Sequence, residues 1–335
     1  MKRSEDSRRP VRYAEAGAPA GDAQARTLAL NLVLEADLRL LVRALGERGI
    51  DVVVLKGIPL ALRLFGSIAA RAMIDNDLLV RRSEVFRARD VLAEHGYESI
   101  DCRRIETQLA FDYQYRMAKR LPGEGFLSAE LHWHAFSQLL YPVSEEVLWA
   151  HVEPFTWDGL TVEVFDPPLT VVHLAAHLAQ SDFAVPQILR DIAAAWNLFY
   201  AHAEPDDVLE LGRETGLIHA LDFALLSVAD LGLLNAPPPV IGSRRAARLR
   251  RLLPAERLCE PRPIRDYQRR LLGLLLVEPR RVPGWLRYAV FPPLENLAAI
   301  EGSPASPVLR WRHLIRPWHV LGRALSRSRE RFVRG

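Results

Sequence analysis

The segment VVVLKGIPLALRLFGSIAARAMIDNDLLV, residues 52–80, decides the fold that the sequence predicts. Val52–Leu55 is a short apolar run, mostly β-branched, of the kind found in buried strands, and Gly57 interrupts it. Proline is favoured in the first turn of a helix, so we expect a two-turn helix over Pro59–Phe65. From Ile74 onward the pattern changes to a period of two, which predicts a second strand. The segment therefore predicts a strand, a glycine turn, a helix and another strand.

Two aspartates lie on one face of the second predicted strand. Side chains alternate along a strand, so Asp75 and Asp77 project to the same side. Neighbouring carboxylates repel each other, and the usual solution is a cation such as Mg²⁺, which binds one or two carboxylates together with phosphate oxygens. Gly57 precedes a helix whose N–H groups suit a phosphate, and Lys56 and Arg71 add positive charge nearby. The pattern predicts a site for Mg²⁺ and a phosphorylated ligand.

This order of motifs resembles the polymerase-β-like nucleotidyltransferases, and within them a bacterial family described as uncharacterised nucleotidyltransferases. In that superfamily a strand leads into a glycine turn and a short helix, the next strand carries Asp-x-Asp, and a later strand carries a third carboxylate. The corresponding residue here is Glu130, in the segment AELHW at 129–133. The resemblance extends over roughly residues 27–325 and includes His173, His177, Arg190, Asp191 and the segment Tyr288–Pro292.

The resemblance implies a fold class and a reaction. The fold is α+β, with a small mixed sheet and its helices followed by a helical C-terminal region. The reaction is transfer of a nucleoside monophosphate from an NTP to an acceptor hydroxyl, with release of pyrophosphate and with Mg²⁺ or Mn²⁺ as cofactor. The catalytic and metal-binding residues would be Asp75, Asp77 and Glu130, and the nucleotide-binding residues would be Lys56, Gly57 and Arg71. The acceptor, whether a small molecule, a peptide or a protein, is not evident from the sequence.

Two positions in the aspartate strand differ from the family pattern. The family usually has Gly before the first Asp and an aliphatic residue between the two, where this chain has Ile74 and Asn76. Asn76 should face the core, where an amide needs hydrogen-bond partners. These differences keep a second hypothesis open, a catalytically inactive nucleotidyltransferase-like protein that serves as a binding or partner protein, for example in a biosynthetic operon.

Four histidines offer another interpretation, a zinc site. His132 and His134 are two residues apart on a predicted strand, and His173 and His177 are four apart on a predicted helix, spacings that both suit Zn²⁺. We favour a different role, because the third carboxylate on the same strand face already belongs to the Mg²⁺ site. The histidines would then lie at the domain interface or around the acceptor. The candidate acceptor pocket consists of His132, His177 and Asp191.

Composition and cysteine content exclude several classes of protein. With 335 residues, 49% of them hydrophobic and 25% charged, the chain is long enough for two globular domains. Cys102 and Cys259 are its only cysteines, which argues against a disulfide scaffold. The N-terminus lacks the apolar core of a signal peptide, and no apolar run reaches membrane length. We therefore expect a cytoplasmic protein.

The positive charge is concentrated at the C-terminus. Net charge is +3, yet residues 308–335 alone contain eight arginines and one glutamate. Trp311 and Trp318, with the aliphatic residues around them, could form an apolar face that contacts RNA or a membrane. We favour a C-terminal helix docked on the domain, because Pro317 interrupts the helix and no aromatic-rich RNA motif is present.

The predicted elements divide the chain into three parts: a disordered N-terminus at 1–22, a nucleotidyltransferase-like domain at 23–160, and a helical domain with the basic tail at 161–335. In the second part we expect a bracing helix at Ala23–Arg48, a helix from the N-cap Ser83 to Glu94, and a hairpin formed by Phe111–Lys119 and Phe126–Trp133. In the third part the helices are expected at roughly 169–181, 187–202, 206–216, 218–233, 243–253, 264–277 and 308–332.

Overall fold

The computed structural model describes residues 21–100, 104–122, 125–260, 267–292 and 294. The predicted disorder before residue 21 and the predicted helix at 308–332 lie outside these residues. Within the described chain, a seven-stranded mixed sheet with its helices is followed by a helical region. The α+β class predicted from the sequence is confirmed.

One sheet contains all the strands of the described chain. They are β1 (Val52–Val54), β2 (Asp75–Val80), β3 (Tyr97–Ser99), β4 (Gln114–Arg120), β5 (Phe126–His132), β6 (Val152–Trp157) and β7 (Leu160–Phe165). Their spatial order is β3-β4-β5-β2-β1-β7-β6. Strand β2 is antiparallel to β1 and parallel to β5, and β1 is parallel to β7. The predicted hairpin is confirmed as β4 and β5.

The helices precede, connect and follow the strands. They are α1 (Gly21–Glu47), α2 (Ile58–Phe65), α3 (Val85–Glu94), α4 (Ile105–Phe111), α5 (Glu145–Ala150), α6 (Pro167–Gln180), α7 (Gln187–Phe199), α8 (Asp206–Glu214), α9 (Ile218–Asp230), α10 (Arg244–Leu252), α11 (Ala255–Leu258), α12 (Tyr267–Gly273) and α13 (Val282–Val290). The predicted N-cap Ser83 is wrong, because it lies inside the short 3-10 turn Arg82–Glu84. Glu84 is at the N-cap position of α3 and makes no side-chain capping hydrogen bond there. No helix of the described chain is long and apolar enough to span a bilayer.

The two faces of the sheet bury separate apolar cores. Alternation along β2 sends Leu78 and Val80 to the face covered by α1 and α3, and Leu79 to the face covered by the helices from α6 onward. Asp75 and Asp77 point to the same side of β2 as Leu79, so they lie on the face toward the helical region. The sheet ends at Phe165 and α6 begins at Pro167. The division into domains stays a prediction.

The turn between β1 and α2 depends on a glycine. Gly57 is the N-cap of α2 and has φ 74° and ψ −135°, a conformation that residues with a Cβ avoid. Pro59 lies in the first turn and Gly66 ends the helix in the left-handed conformation, both as the sequence predicts. A Cβ on Gly57 would meet only Met73 Sδ, at 3.9 Å. Backbone conformation, rather than crowding, therefore requires glycine here.

Replacing Gly57 by alanine should destabilise the protein by about 1–3 kcal/mol, the cost of a residue with a Cβ in this region of φ and ψ. Urea unfolding of the purified variant measures the change. Gly46→Ala is the matched control, because Gly46 lies on the exposed side of α1 with open space around it. That variant should be as stable as the wild type or more so. Equal stability of the two alanine variants would contradict the argument.

Candidate active site

The three predicted carboxylates lie on adjacent parallel strands. In the register of β2 and β5, Asp77 is directly opposite Glu130, and Asp75 is opposite Ser128. Directly paired residues of neighbouring strands point to the same face, so the three carboxylates project together toward the helical region. Asp77 is only 2% exposed, while Asp75 and Glu130 are half-buried. The structure thus brings together the three residues that the sequence predicts as catalytic.

Asp77 is the centre of the charge network. Lys56 Nζ lies 3.2 Å from Asp77 Oδ1, and His132 Nε2 lies 3.2 Å from the same oxygen. Burial acts to raise the pKa of Asp77, but the charges of Lys56 and His132 outweigh it and hold this pKa far below its usual value. Asp77 is therefore an anion throughout the physiological pH range.

Three ionisable groups beside Asp77 have pKa values above their usual range. Burial raises the pKa of Asp75 to about 7, and the negative charge of Asp77 adds to the effect. Burial opposes protonation of His132, yet its bonds to Asp77 and Glu130 raise the pKa of the imidazole to about 9. Burial likewise opposes the charge on Lys56, but Asp77 and the other carboxylates raise its pKa. Without a bound ion, the site balances its negative charge with protons.

The donor atoms at the centre of the site suit a divalent cation. One ligand atom from each of Asp77, Glu130 and His132 lies within 4.8 Å of the others. Two carboxylates at this separation suit a cation between them, which fits the metal that the sequence predicts. Asp75 does not belong to this group of atoms, although the sequence assigns it to the metal. His132, predicted as part of an acceptor pocket, belongs to it instead.

The predicted nucleotide-binding residues Lys56 and Gly57 lie next to the carboxylates. Leu55 N–H donates to the carbonyl oxygen of Asp77 at 3.1 Å, which brings the turn after β1 against β2. The ammonium of Lys56 reaches Asp77 from this turn, and α2 begins directly after Gly57. The start of α2 thus follows directly on the turn that holds Lys56 against Asp77, an arrangement that suits a phosphate.

Arg71 and Asp191, predicted separately for phosphate and acceptor, form a buried ion pair with each other. Arg71 Nε donates to Asp191 Oδ2 at 3.0 Å, and Gln187 Nε2 donates to Asp191 Oδ1 at 2.9 Å. Asp191 is fully buried and Arg71 is 9% exposed. Asn31 on α1 donates to the carbonyl oxygen of Arg71 at 2.8 Å. The pair thus joins the segment before β2 to α7 in the helical region.

The remaining histidines lie around the site without joining the metal-type cluster. His173, on α6, packs edge-on against Phe136 and Phe165, and burial lowers its pKa to about 3. Burial also lowers the pKa of His177, one turn further along α6, well below its usual value. His134 bonds backbone atoms of its own loop, with Nε2 2.6 Å from Val143 O. Among the described residues, the four histidines therefore do not form a zinc site together.

The low pKa of His173 predicts a specific acid sensitivity. The unfolded chain binds a proton at this histidine below pH about 6.5, while the folded protein does not until about pH 3. Stability is therefore lost as the pH falls through this window, by about 1.4 kcal/mol per pH unit from this one group. His173→Gln should lose less stability between pH 6.5 and 4 than the wild type, measured by urea unfolding. The exposed His202→Gln is the matched control, and equal slopes for wild type and His173→Gln would contradict the assignment.

A polar network behind the carboxylates was not predicted from the sequence. Asp37 on α1 is 5% exposed; it accepts a hydrogen bond from Tyr97 at 2.5 Å and pairs with Lys119. Asn76 donates to Leu34 O at 3.2 Å and to Asp37 at 3.4 Å. Asn76 is therefore satisfied in the core, as an amide there must be, and Asp75 and Asp77 keep a common face. The feature of the sequence that could have indicated this network is Asp37, an acidic residue on the leucine-rich face of α1.

The strand, glycine turn, helix and Asp-x-Asp strand, with a third carboxylate on a parallel neighbour, define the class of this protein: it has a nucleotidyltransferase-like core. The chain belongs to the family described as uncharacterised nucleotidyltransferases, whose sequence model matches residues 22–232. Family and fold together support a role in nucleotidyl transfer.

Other comparisons add little to the family assignment. A solved structure of an antigenic nucleotidyltransferase-like protein from Paracoccidioides brasiliensis is similar, with a TM-score of 0.34 and 17% sequence identity. The similarity covers 57% of this chain and 91% of that one. At this TM-score the likeness is weak, and the assignment depends on the sequence match. No curated protein matches the chain.

Proposed function

We propose that this protein is a Mg²⁺-dependent nucleotidyltransferase that transfers a nucleoside monophosphate from an NTP to an acceptor hydroxyl. The observation that carries the proposal is the common face of Asp75, Asp77 and Glu130 on the parallel strands β2 and β5. Lys56 lies beside the same carboxylates. Carboxylates with adjacent positive charge are what binding of a metal-chelated triphosphate requires.

Different residues of the chain would bind the metal, orient the phosphates and accept the proton in such a reaction. Asp77 and Glu130, with Asp75 beside them, would hold Mg²⁺, which when bound neutralises charge on the phosphates and on the attacking oxygen. The N–H groups after Gly57 and the charge of Lys56 would orient the phosphates, whereas the guanidinium of Arg71 is held by Asp191. The acceptor oxygen forms a bond to the α-phosphorus as the bond from the α-phosphorus to the bridging oxygen breaks. Pyrophosphate leaves, and Glu130 takes the acceptor proton.

Mg²⁺-dependent nucleotide binding tests the proposal. Thermal unfolding of the wild type is measured with ATP, GTP, CTP and UTP, with and without Mg²⁺, because a ligand that binds the native state raises the midpoint. We expect at least one nucleotide to raise the midpoint only in the presence of Mg²⁺. Asp75→Asn should reduce that response, and Asp51→Asn, at an exposed position before β1, should preserve it.

Two results of this experiment would contradict the proposal. If no nucleotide raises the midpoint, the proposal fails and the inactive, partner-binding alternative is favoured. If nucleotide with Mg²⁺ raises the midpoints of Asp75→Asn, Asp77→Asn and the wild type equally, the carboxylates do not hold the metal–nucleotide complex. The identity of the stabilising nucleotide also selects the labelled NTP for an acceptor screen.

A further inference from the structure

His132 occupies the position of a metal ligand in the carboxylate cluster. It follows Glu130 by two residues on β5, so both side chains lie on the same face, and the imidazole is 5% exposed. Its Nε2 lies 3.2 Å from Asp77 Oδ1 and 3.5 Å from Glu130 Oε2. Two carboxylates and one imidazole nitrogen thus converge on one point of the site.

The other ring nitrogen of His132 is held by the backbone. Nδ1 lies 3.4 Å from the carbonyl oxygen of His134. Metal-binding histidines usually donate their second N–H to a carbonyl or carboxylate in this way, which orients the ring and leaves the lone pair of the first nitrogen toward the ion. A neutral imidazole so oriented would present a lone pair to two carboxylates. A proton or a metal ion must lie between them.

We propose that His132 is a metal ligand, and that Asp77, Glu130 and His132 hold one first-row transition ion such as Mn²⁺ in preference to Mg²⁺. The inference depends on the proposed function for the use of the ion, and it changes the ligand set. Asp75, which the resemblance assigns to the metal, has no atom in this cluster. Its carboxylate would instead contact a second ion that arrives with the nucleotide.

The chemistry of the three ligands decides the ion. Mg²⁺ prefers oxygen ligands and keeps much of its water shell, so an imidazole in its coordination sphere brings little affinity. First-row transition ions bind imidazole nitrogen readily, and Mn²⁺ also accepts the carboxylate and phosphate oxygens typical of Mg²⁺ sites. Lys56 Nζ lies 3.2 Å from the same Asp77 oxygen as His132, so a bound ion would share the charge of Asp77 with this ammonium.

Direct binding of Mn²⁺ to the nucleotide-free, full-length protein tests the proposal. The electron paramagnetic resonance signal of free Mn²⁺ is titrated with protein, and Mg²⁺ is then added as competitor. We expect one site in the wild type that Mg²⁺ displaces only in large excess. His132→Gln should weaken Mn²⁺ binding by at least about tenfold, as loss of a ligand or of its orienting partner commonly does.

Two variants separate this ligand set from the one that the resemblance implies. Asp75→Asn removes a charge beside the ion but no ligand, so it should weaken Mn²⁺ binding less than His132→Gln does. His177→Gln, which removes a neighbouring imidazole outside the cluster, should bind Mn²⁺ as the wild type does. Glu130→Gln should lose Mn²⁺ affinity as His132→Gln does. Because Glu130 is only half-buried, this variant replaces His132→Gln in the test if His132→Gln does not fold. Circular dichroism confirms folding of each.

Three results would overturn the proposal: undiminished Mn²⁺ binding in both His132→Gln and Glu130→Gln, a larger loss of Mn²⁺ affinity in Asp75→Asn than in His132→Gln, or no Mn²⁺ binding by the wild type. Failure of the proposed function gives a different result, in which Mn²⁺ binds with the expected variant pattern but no NTP raises the unfolding midpoint.

Discussion

Asp77→Asn will destabilise the metal-free protein, whereas Asp75→Asn will stabilise it. The two carboxylates are two residues apart on one strand face, but their surroundings differ. Asp77 is buried against Lys56 and His132, which stabilise its charge. Removing one partner of a buried charge pair typically costs about 3–5 kcal/mol, because the other partner stays buried without compensation. We expect a loss of about 3 kcal/mol for Asp77→Asn, since asparagine keeps a hydrogen-bonding oxygen.

Asp75 has the opposite effect because its charge is opposed by burial and by Asp77. Its pKa rises from 3.8 in the unfolded chain to about 7 in the folded protein. Between these values the folded protein binds more protons than the unfolded chain, so stability falls as the pH rises from about 4 to 7 and is constant above. The fall is about 1.4 kcal/mol per pH unit. Asp75→Asn lacks this loss of stability. Its free energy of unfolding should therefore exceed that of the wild type by the largest amount above pH 7.

Urea unfolding at pH 5, 6, 7 and 8 in the presence of EDTA measures both effects. The exposed Asp51→Asn is the control for replacing a carboxylate by an amide and should follow the wild type at every pH. A similar loss of stability in Asp75→Asn and Asp77→Asn would contradict the assignment of charge. So would a difference between Asp75→Asn and the wild type that does not grow with pH.

Local sequence patterns predicted the core of this site because its geometry is local. The glycine turn, the short helix and the common face of Asp75 and Asp77 each depend on residues within one segment, where periodicity and turn chemistry decide the conformation. Glu130 came from the family resemblance, and the parallel pairing of β2 with β5 then places it opposite Asp77.

The partners of the site residues were not predictable, because they come from distant segments. Arg71 and Asp191 were each predicted as site residues, but 120 positions separate them and no local pattern indicates that they neutralise each other. The position of β7 beside β1 likewise depends on pairing between distant segments, since Val53 is opposite Glu163. His132 was predicted near the acceptor, because a strand period cannot say which carboxylate an imidazole on the same face will reach.

Breaking the ion pair between Arg71 and Asp191 should cause the second large loss of stability. Asp191→Ala leaves the guanidinium of Arg71 without its carboxylate in a site where Asp191 is fully buried and Arg71 is 9% exposed. It also removes the acceptor for Gln187. We expect a loss of about 3–5 kcal/mol in urea unfolding. The double variant Arg71→Met/Asp191→Ala should recover part of this loss, because it leaves no unpaired charge.

An exposed ion pair in the same protein provides the control. Arg48 and Glu94 lie 2.7 Å apart with side chains 56% and 52% exposed, so Glu94→Ala should cost less than about 1 kcal/mol. A small effect of Asp191→Ala, or additive effects in the double variant, would show that the buried pair does not hold the segment before β2 against α7. A large, non-additive effect would show that it does. Since that segment leads directly into Asp75, the pair then sets where β2 begins relative to the helices that face it.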